Sequence, residues 1–195
     1  MERRDLLKQI ALLTGGIMVG GELFLSGCKS AAKIEAGFTS GSIALLDEVG
    51  ETIIPATNTP GAKAAKIGEF MKTFVTDCYT PEEQTAFTKG IVQLEEACNK
   101  MFGKSFMDCD AKQRKDLLVS LEKEAKPFNE KVNKENEGRK DNKAPLHYYA
   151  LMKQITLLGF FTSKTGATET LRHIQVPGKF DGAFAYKKGD KAWAE

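Results

Sequence analysis

The side chains able to make or break bonds are few: four cysteines, Cys28, Cys78, Cys98 and Cys109, and two histidines, His147 and His173, among 195 residues. An imidazole is the usual general base near neutral pH, but it needs a placed partner to work. His147 lies at the start of an apolar helix beside Tyr148-Tyr149, and His173 follows Arg172. Neither has a spaced partner histidine or a nearby run of carboxylates, so both read as hydrogen-bonded structural histidines. An active site would need one of them in a cleft with a carboxylate, with Tyr148 or Tyr149 in support. There is no Cys-x-x-Cys pair for a zinc ribbon or thioredoxin-type site, and no Cys-x-x-Cys-His for an ordinary covalent haem. No glycine-rich loop follows a strand, and no nucleophile elbow is present. Asp47, Glu48 and Glu51 alternate with the apolar stripe of their helix, as a solvated face does. The residue pattern holds no catalytic constellation and no metal ligand set.

Cys28 is the exception. Leu25-Ser26-Gly27-Cys28 resembles the lipobox of bacterial lipoproteins. In that chemistry the thiol takes a diacylglyceryl group, small Ser26 and Gly27 let the chain enter the signal peptidase extended, and Leu25 fills an apolar pocket. Two or three acyl chains hold a protein on a bilayer where one is marginal. The segment before it has a basic start and a weakly apolar middle, the form of a cleaved export signal. Arg3-Arg4 followed by Leu6-Leu7-Lys8 resembles the twin-arginine signal, with Leu6 where Phe is usual. An ordinary signal for unfolded chains that happens to carry two arginines is the alternative. An uncleaved membrane helix fits poorly, because the apolar run is short against the ~20 residues a bilayer needs and Glu22 interrupts it. These features divide the chain into a signal peptide (1–27), a lipidated tether (28–40) and a domain (41–195). The anchor would lie on the periplasmic or outer side of the cytoplasmic membrane.

The domain is long enough to bury a real core. The formal net charge of +2 offers no concentrated basic face for nucleic acid. Its dominant period is helical. Ile43, Leu46, Val49 and Ile53 form one stripe, ended by Pro55. Ile67, Phe70, Met71, Phe74, Val75 and Cys78 form a second. Thr80-Pro81-Glu82-Glu83 is a capping box that opens a third helix, with Phe87, Ile91, Leu94, Cys98 and Met101, stopped by Gly103. Asp110-Ala111-Lys112-Gln113 opens a fourth through Leu117, Leu118 and Leu121, and residues 123–143 read as a solvated loop or helix face. Pro145 is expected to start a strongly apolar helix ending before Gly166, with a short turn over 168–173. Cys98 and Cys109 flank a turn between two helices, so a local disulfide is geometrically reasonable in an oxidising compartment. Cys78 is then left as a buried thiol or as half of a bond to another chain.

From about residue 174 the breakers Pro177, Gly178, Gly182 and Gly189 interleave with Phe180, Phe184, Tyr186 and Trp193. An irregular extended arm is expected. Large rings at a fraying terminus gain nothing, so they pack on this domain's helices or sit in a partner's groove. The fold class is all-α: one helical bundle with a wrapped C-terminal arm.

Two blocks carry a resemblance. Leu45-Leu46-Asp47 through Ile53-Ile54-Pro55 with Thr57-Asn58-Thr59-Pro60-Gly61-Ala62, and Leu157-Leu158-Gly159-Phe160-Phe161 through Gly166-Ala167-Thr168-Glu169 with Val176-Pro177-Gly178-Lys179-Phe180-Asp181-Gly182, resemble the gluconate 2-dehydrogenase subunit 3 family. Between them, 104–143 matches only in helical character. The resemblance implies a non-catalytic small subunit that binds no cofactor itself. Its partner would be a large flavin-dependent dehydrogenase of the glucose-methanol-choline type, holding FAD, with a cytochrome c as a further subunit. Such a small subunit escorts its folded partner through the twin-arginine pore and stays bound. The lipobox departs from the family's usual form and would add a membrane anchor. Tyr149, Phe160, Phe161, Phe180, Phe184, Tyr186 and Trp193 are the interface residues expected on this view. The rival is a stand-alone lipoprotein that binds a ligand or surface partner through its aromatic tail.

Overall fold

The computed structural model describes residues 37–194 apart from 140, 142, 177, 179 and 180. The export signal, the lipobox with Cys28, most of the tether, and Phe180 lie outside the described residues. Among the described residues five α-helices make the body: α1 (Ser40–Ile53), α2 (Ile67–Cys78), α3 (Pro81–Phe102), α4 (Ala111–Asn136) and α5 (Tyr148–Thr162). A short 3-10 turn (Ala62–Ala65) precedes α2, and a π turn (Gly166–Thr170) follows α5. Among the described residues there is no strand, only an isolated bridge between Arg172 and Trp193.

The helix starts follow from their caps. The Thr80 hydroxyl accepts from the Glu83 N–H at 3.3 Å, while Glu83 accepts from the Thr80 N–H at 2.9 Å. Asp110 and Gln113 make the same reciprocal pair at 2.8 and 3.2 Å. Gly103, at φ 70°, ends α3 in the left-handed conformation that glycine adopts without strain. Phe38, Thr39 and Ser40, expected in the tether, are part of the folded domain. Phe38 is buried with its ring 6.0 Å from Phe87, and Thr39 caps α1.

α5 is the central helix and packs against each of the other four. Leu46 and Val49 from α1, Ile67, Met71 and Val75 from α2, Phe87 and Leu94 from α3, and Leu117 from α4 meet Met152, Ile155 and Phe160 of α5 in one core. Each such side chain contributes roughly 1.5–3 kcal/mol when fully buried. Pro145 does not start α5. Residues 144–147 are non-helical, fixed by side chains of α4: Asn136 bonds both ways with the Ala144 backbone at 2.8 and 2.9 Å, and Asn129 accepts the His147 N–H at 2.9 Å. The helix therefore begins at Tyr148. These clamps also explain why α4 runs on through Pro127, which removes one helical bond, to Asn136.

The acidic residues of α1 are not a solvated face. In the loop after α1 the backbone N–H groups of Ala56 and Lys63 have no helical partner, and α1 supplies their acceptor. Glu51 accepts from the N–H groups of Ala56 and Lys63 at 2.8 and 2.9 Å. Asp47 accepts from the Gly68 N–H at 2.8 Å, capping α2, whose preceding residue Lys66 is left-handed and gives no side-chain cap. A Cβ at Gly61 would collide with the Glu51 carboxylate, so this turn needs glycine. Glu48 pairs with Lys63 and reaches Arg114 of α4 at 2.6 Å. Both cations hold its carboxyl below the usual range, the Lys63 contact most strongly.

Candidate docking surface

The α5 helix is apolar nearly all round, and a bundle can cover only part of such a surface. Its inner face is Tyr149, Leu151, Met152, Ile155, Thr156, Gly159 and Phe160. Leu157, Leu158 and Phe161 lie on the other side, 39%, 42% and 39% exposed. With Gln154 they follow the i, i+3, i+4, i+7 spacing of one helical face. Tyr149 and Phe160, expected at an interface, are thus corrected to core residues: the helix needs its widest rings inward to reach the other four helices. Phe161 remains at the surface, its ring 5.2 Å from that of Phe160.

The stripe is held rigidly. Gly159 faces Phe70 of α2, where a Cβ would run into the ring, so only glycine allows this approach. At the end of α5 the Ser163 hydroxyl donates to the Phe160 carbonyl at 2.7 Å and accepts the Gly166 N–H at 3.0 Å, setting the π turn.

The described part of the C-terminal arm is irregular, as its breakers require, but Phe184 and Trp193 sit neither in the core nor bare. Arg172 and Trp193 are joined through the backbone, with the Arg172 N–H to the Ala192 carbonyl at 2.8 Å and the Ala194 N–H to the Arg172 carbonyl at 3.0 Å. The Arg172 guanidinium lies 4.9 Å from the Trp193 ring centre and 5.3 Å from that of Phe184, with Asp190 at 4.0 Å. Phe184 and Trp193 meet edge to face at 5.5 Å. The arm therefore closes around its own arginine through cation–π contacts. Tyr186 stays 75% exposed.

His147 caps α5. Its Nδ1 accepts the Tyr149 N–H at 3.3 Å, its ring lies 4.3 Å from Tyr148, and Phe128 meets it edge to face at 5.6 Å. Nε2 is 3.9 Å from Glu124, beyond hydrogen-bond reach. Burial lowers its pKa, with Glu124 opposing, and burial pushes Tyr148 and Tyr149 up to about 12. His173 is exposed. Cys98 and Cys109 are buried thiols with their sulfurs 3.3 Å apart. Cys78, expected either as a buried thiol or as half of a bond to another chain, is exposed because the stripe of α2 turns away from the core in its last turn. Among the described residues no group of three or more His, Cys, Asp or Glu side chains could hold a metal ion, and no helix is long and apolar enough to cross a membrane.

A family model described as gluconate 2-dehydrogenase subunit 3 matches residues 41–178. The chain belongs to the gluconate 2-dehydrogenase subunit 3 family. No curated protein and no solved structure matches it. The family span takes in the α1 loop, all of α5 and the π turn, whereas Phe184, Tyr186 and Trp193 lie beyond it. In this gluconate 2-dehydrogenase subunit 3 chain the exposed stripe of α5 therefore lies within the matched span. The sequence marked the apolar helix from Leu146 to Phe161 as a contact surface without singling out Leu157 and Leu158, because an apolar helix does not reveal which side its neighbours leave open.

Proposed function

We propose that this chain is the non-catalytic small subunit of an exported flavin-dependent sugar or sugar-acid dehydrogenase of the glucose-methanol-choline type. It accompanies the folded, FAD-holding large subunit through the twin-arginine pore, stabilises it, and moors it to the membrane by lipid on Cys28. A cytochrome c completes the complex as electron acceptor. The observation that carries this reading is the rigid Leu157–Leu158–Phe161 stripe within the family's matched span. A contiguous apolar face of this kind marks an interaction site, and a dehydrogenase subunit has a partner to cover it. Each partly exposed side chain would add roughly 1 kcal/mol on burial.

Tagged full-length chain, extracted from membranes, is expected to bring down a flavin-containing protein in near-equal amount. Leu158→Asp with Phe161→Asp should lower that flavin at least ~10-fold, since two charges would be buried without partners, while the free variant keeps its helical circular dichroism and a cooperative melt. Purification of the wild-type chain alone, with envelope dehydrogenase activity unchanged on its deletion, would overturn the proposal and favour a free-standing lipoprotein.

A further inference from the structure

The segment between α3 and α4 is fastened at several points without any covalent link. Phe106 is fully buried, its N–H donates to the Glu95 carboxylate at 3.1 Å, and its carbonyl accepts from Arg114 Nε at 3.0 Å. Arg114 also bonds the Met107 carbonyl at 2.8 Å and lies 5.5 Å from the centre of the Phe106 ring. Cys98, in the penultimate turn of α3, and Cys109, directly before the Asp110 cap of α4, meet behind this segment with sulfurs 3.3 Å apart. A disulfide needs ~2.05 Å, little more than an ångström closer.

We propose that Cys98 and Cys109 are an oxidisable pair that closes into a disulfide and staples the end of α3 to the start of α4, with Cys78 taking no part. The oxidant is a disulfide, either of a protein thiol–disulfide oxidoreductase or of a small thiol such as glutathione. One cysteine thiolate attacks the oxidant's sulfur and releases one thiol, forming a mixed disulfide. The second cysteine then attacks the first cysteine's sulfur and releases the other thiol. Two thiols thereby lose two electrons and two protons, and the oxidant's disulfide is reduced to two thiols. Burial pushes the Cys98 thiol up to about 12, so closure in the folded chain is slow and quickens as pH rises. The backbone is already ordered here, so the bond acts chiefly by restricting the unfolded chain.

The test uses reduced full-length protein equilibrated with oxidised glutathione, quenched in acid, denatured, alkylated and digested with trypsin. Cleavage at Lys100 and Lys104 separates the two cysteines. The expected product is the Cys98 peptide bonded to the Cys109 peptide, two hydrogens lighter than the dithiol. Tm should rise by roughly 6–12 °C, reversed by reductant. Cys78→Ala should form the same bond. Recovery of Cys98 and Cys109 as alkylated thiols, or joined only to glutathione or Cys78, would overturn the proposal, as would its loss in Cys78→Ala. No docking partner enters the assay, so its outcome is separate from that of the subunit proposal.

Discussion

His147 can cap α5 only while its Nδ1 is unprotonated, since that nitrogen accepts the Tyr149 N–H. Burial lowers its folded pKa below the ordinary 6.5. The unfolded chain therefore binds the proton first as pH falls. Its contribution is fully present above pH ~6.5 and is lost progressively below that. His147→Asn keeps a capping acceptor and should flatten this dependence below pH ~6.5, read as the difference in urea midpoint between variant and wild type. Equal slopes would show that the imidazole does not govern it. Glu48 acts in a separate window. Its lowered pKa gives stability present above pH ~4.5 that disappears as the carboxylate is protonated through its folded value. Arg114→Ala would leave Glu48 with Lys63 alone, remove the side-chain donor to the Met107 carbonyl and leave the Phe106 carbonyl only the Cys109 N–H at 3.3 Å. A loss of about 2–4 kcal/mol in denaturant unfolding is expected, with the acid dependence below pH ~4.5 reduced.

Among the elements, α5 and the arm make opposite contributions. α5 is joined to every other helix, so the fold cannot form without it. The arm makes its described ring contacts within itself and to Arg172. A chain ending at His173 should keep its helical circular dichroism and its cooperative melt, with Tm lower by no more than a few degrees. Collapse of that melt would show the arm to be part of the core. Trp193 is the sole tryptophan, so Arg172→Met should shift emission from this clasp while leaving the helical signal unchanged.

For the molecule as a whole, the polar network stays inside the subunit, where Glu48, Arg114, Glu51 and Asp47 tie the α1 loop to the bundle. The exposed stripe of α5 carries no charge of its own. Association through it should therefore persist in ~0.5–1 M salt, where a charge-driven contact is screened. Pull-down of the proposed flavoprotein partner across a salt series measures this. Release at moderate salt would place the contact elsewhere on the surface.

Local sequence determined the helix starts at Thr80 and Asp110, the stop at Gly103 and the irregular arm, because caps and breakers act over a few residues. The family's two blocks were equally legible as strings. Why they take their form was not. Gly61 answers to a carboxylate ten residues earlier, and Gly159 to Phe70 on another helix. Asp47, Glu48 and Glu51 looked solvated, since nothing in a helical period says that a loop will fold back to be bonded. Likewise Asn129 and Asn136 hold the backbone that keeps α5 from starting at Pro145. Which side of α5 became core and which stayed open was decided only by the packing of four other helices. A periodic pattern fixes how a face is composed, while burial depends on which surfaces arrive from distant parts of the chain.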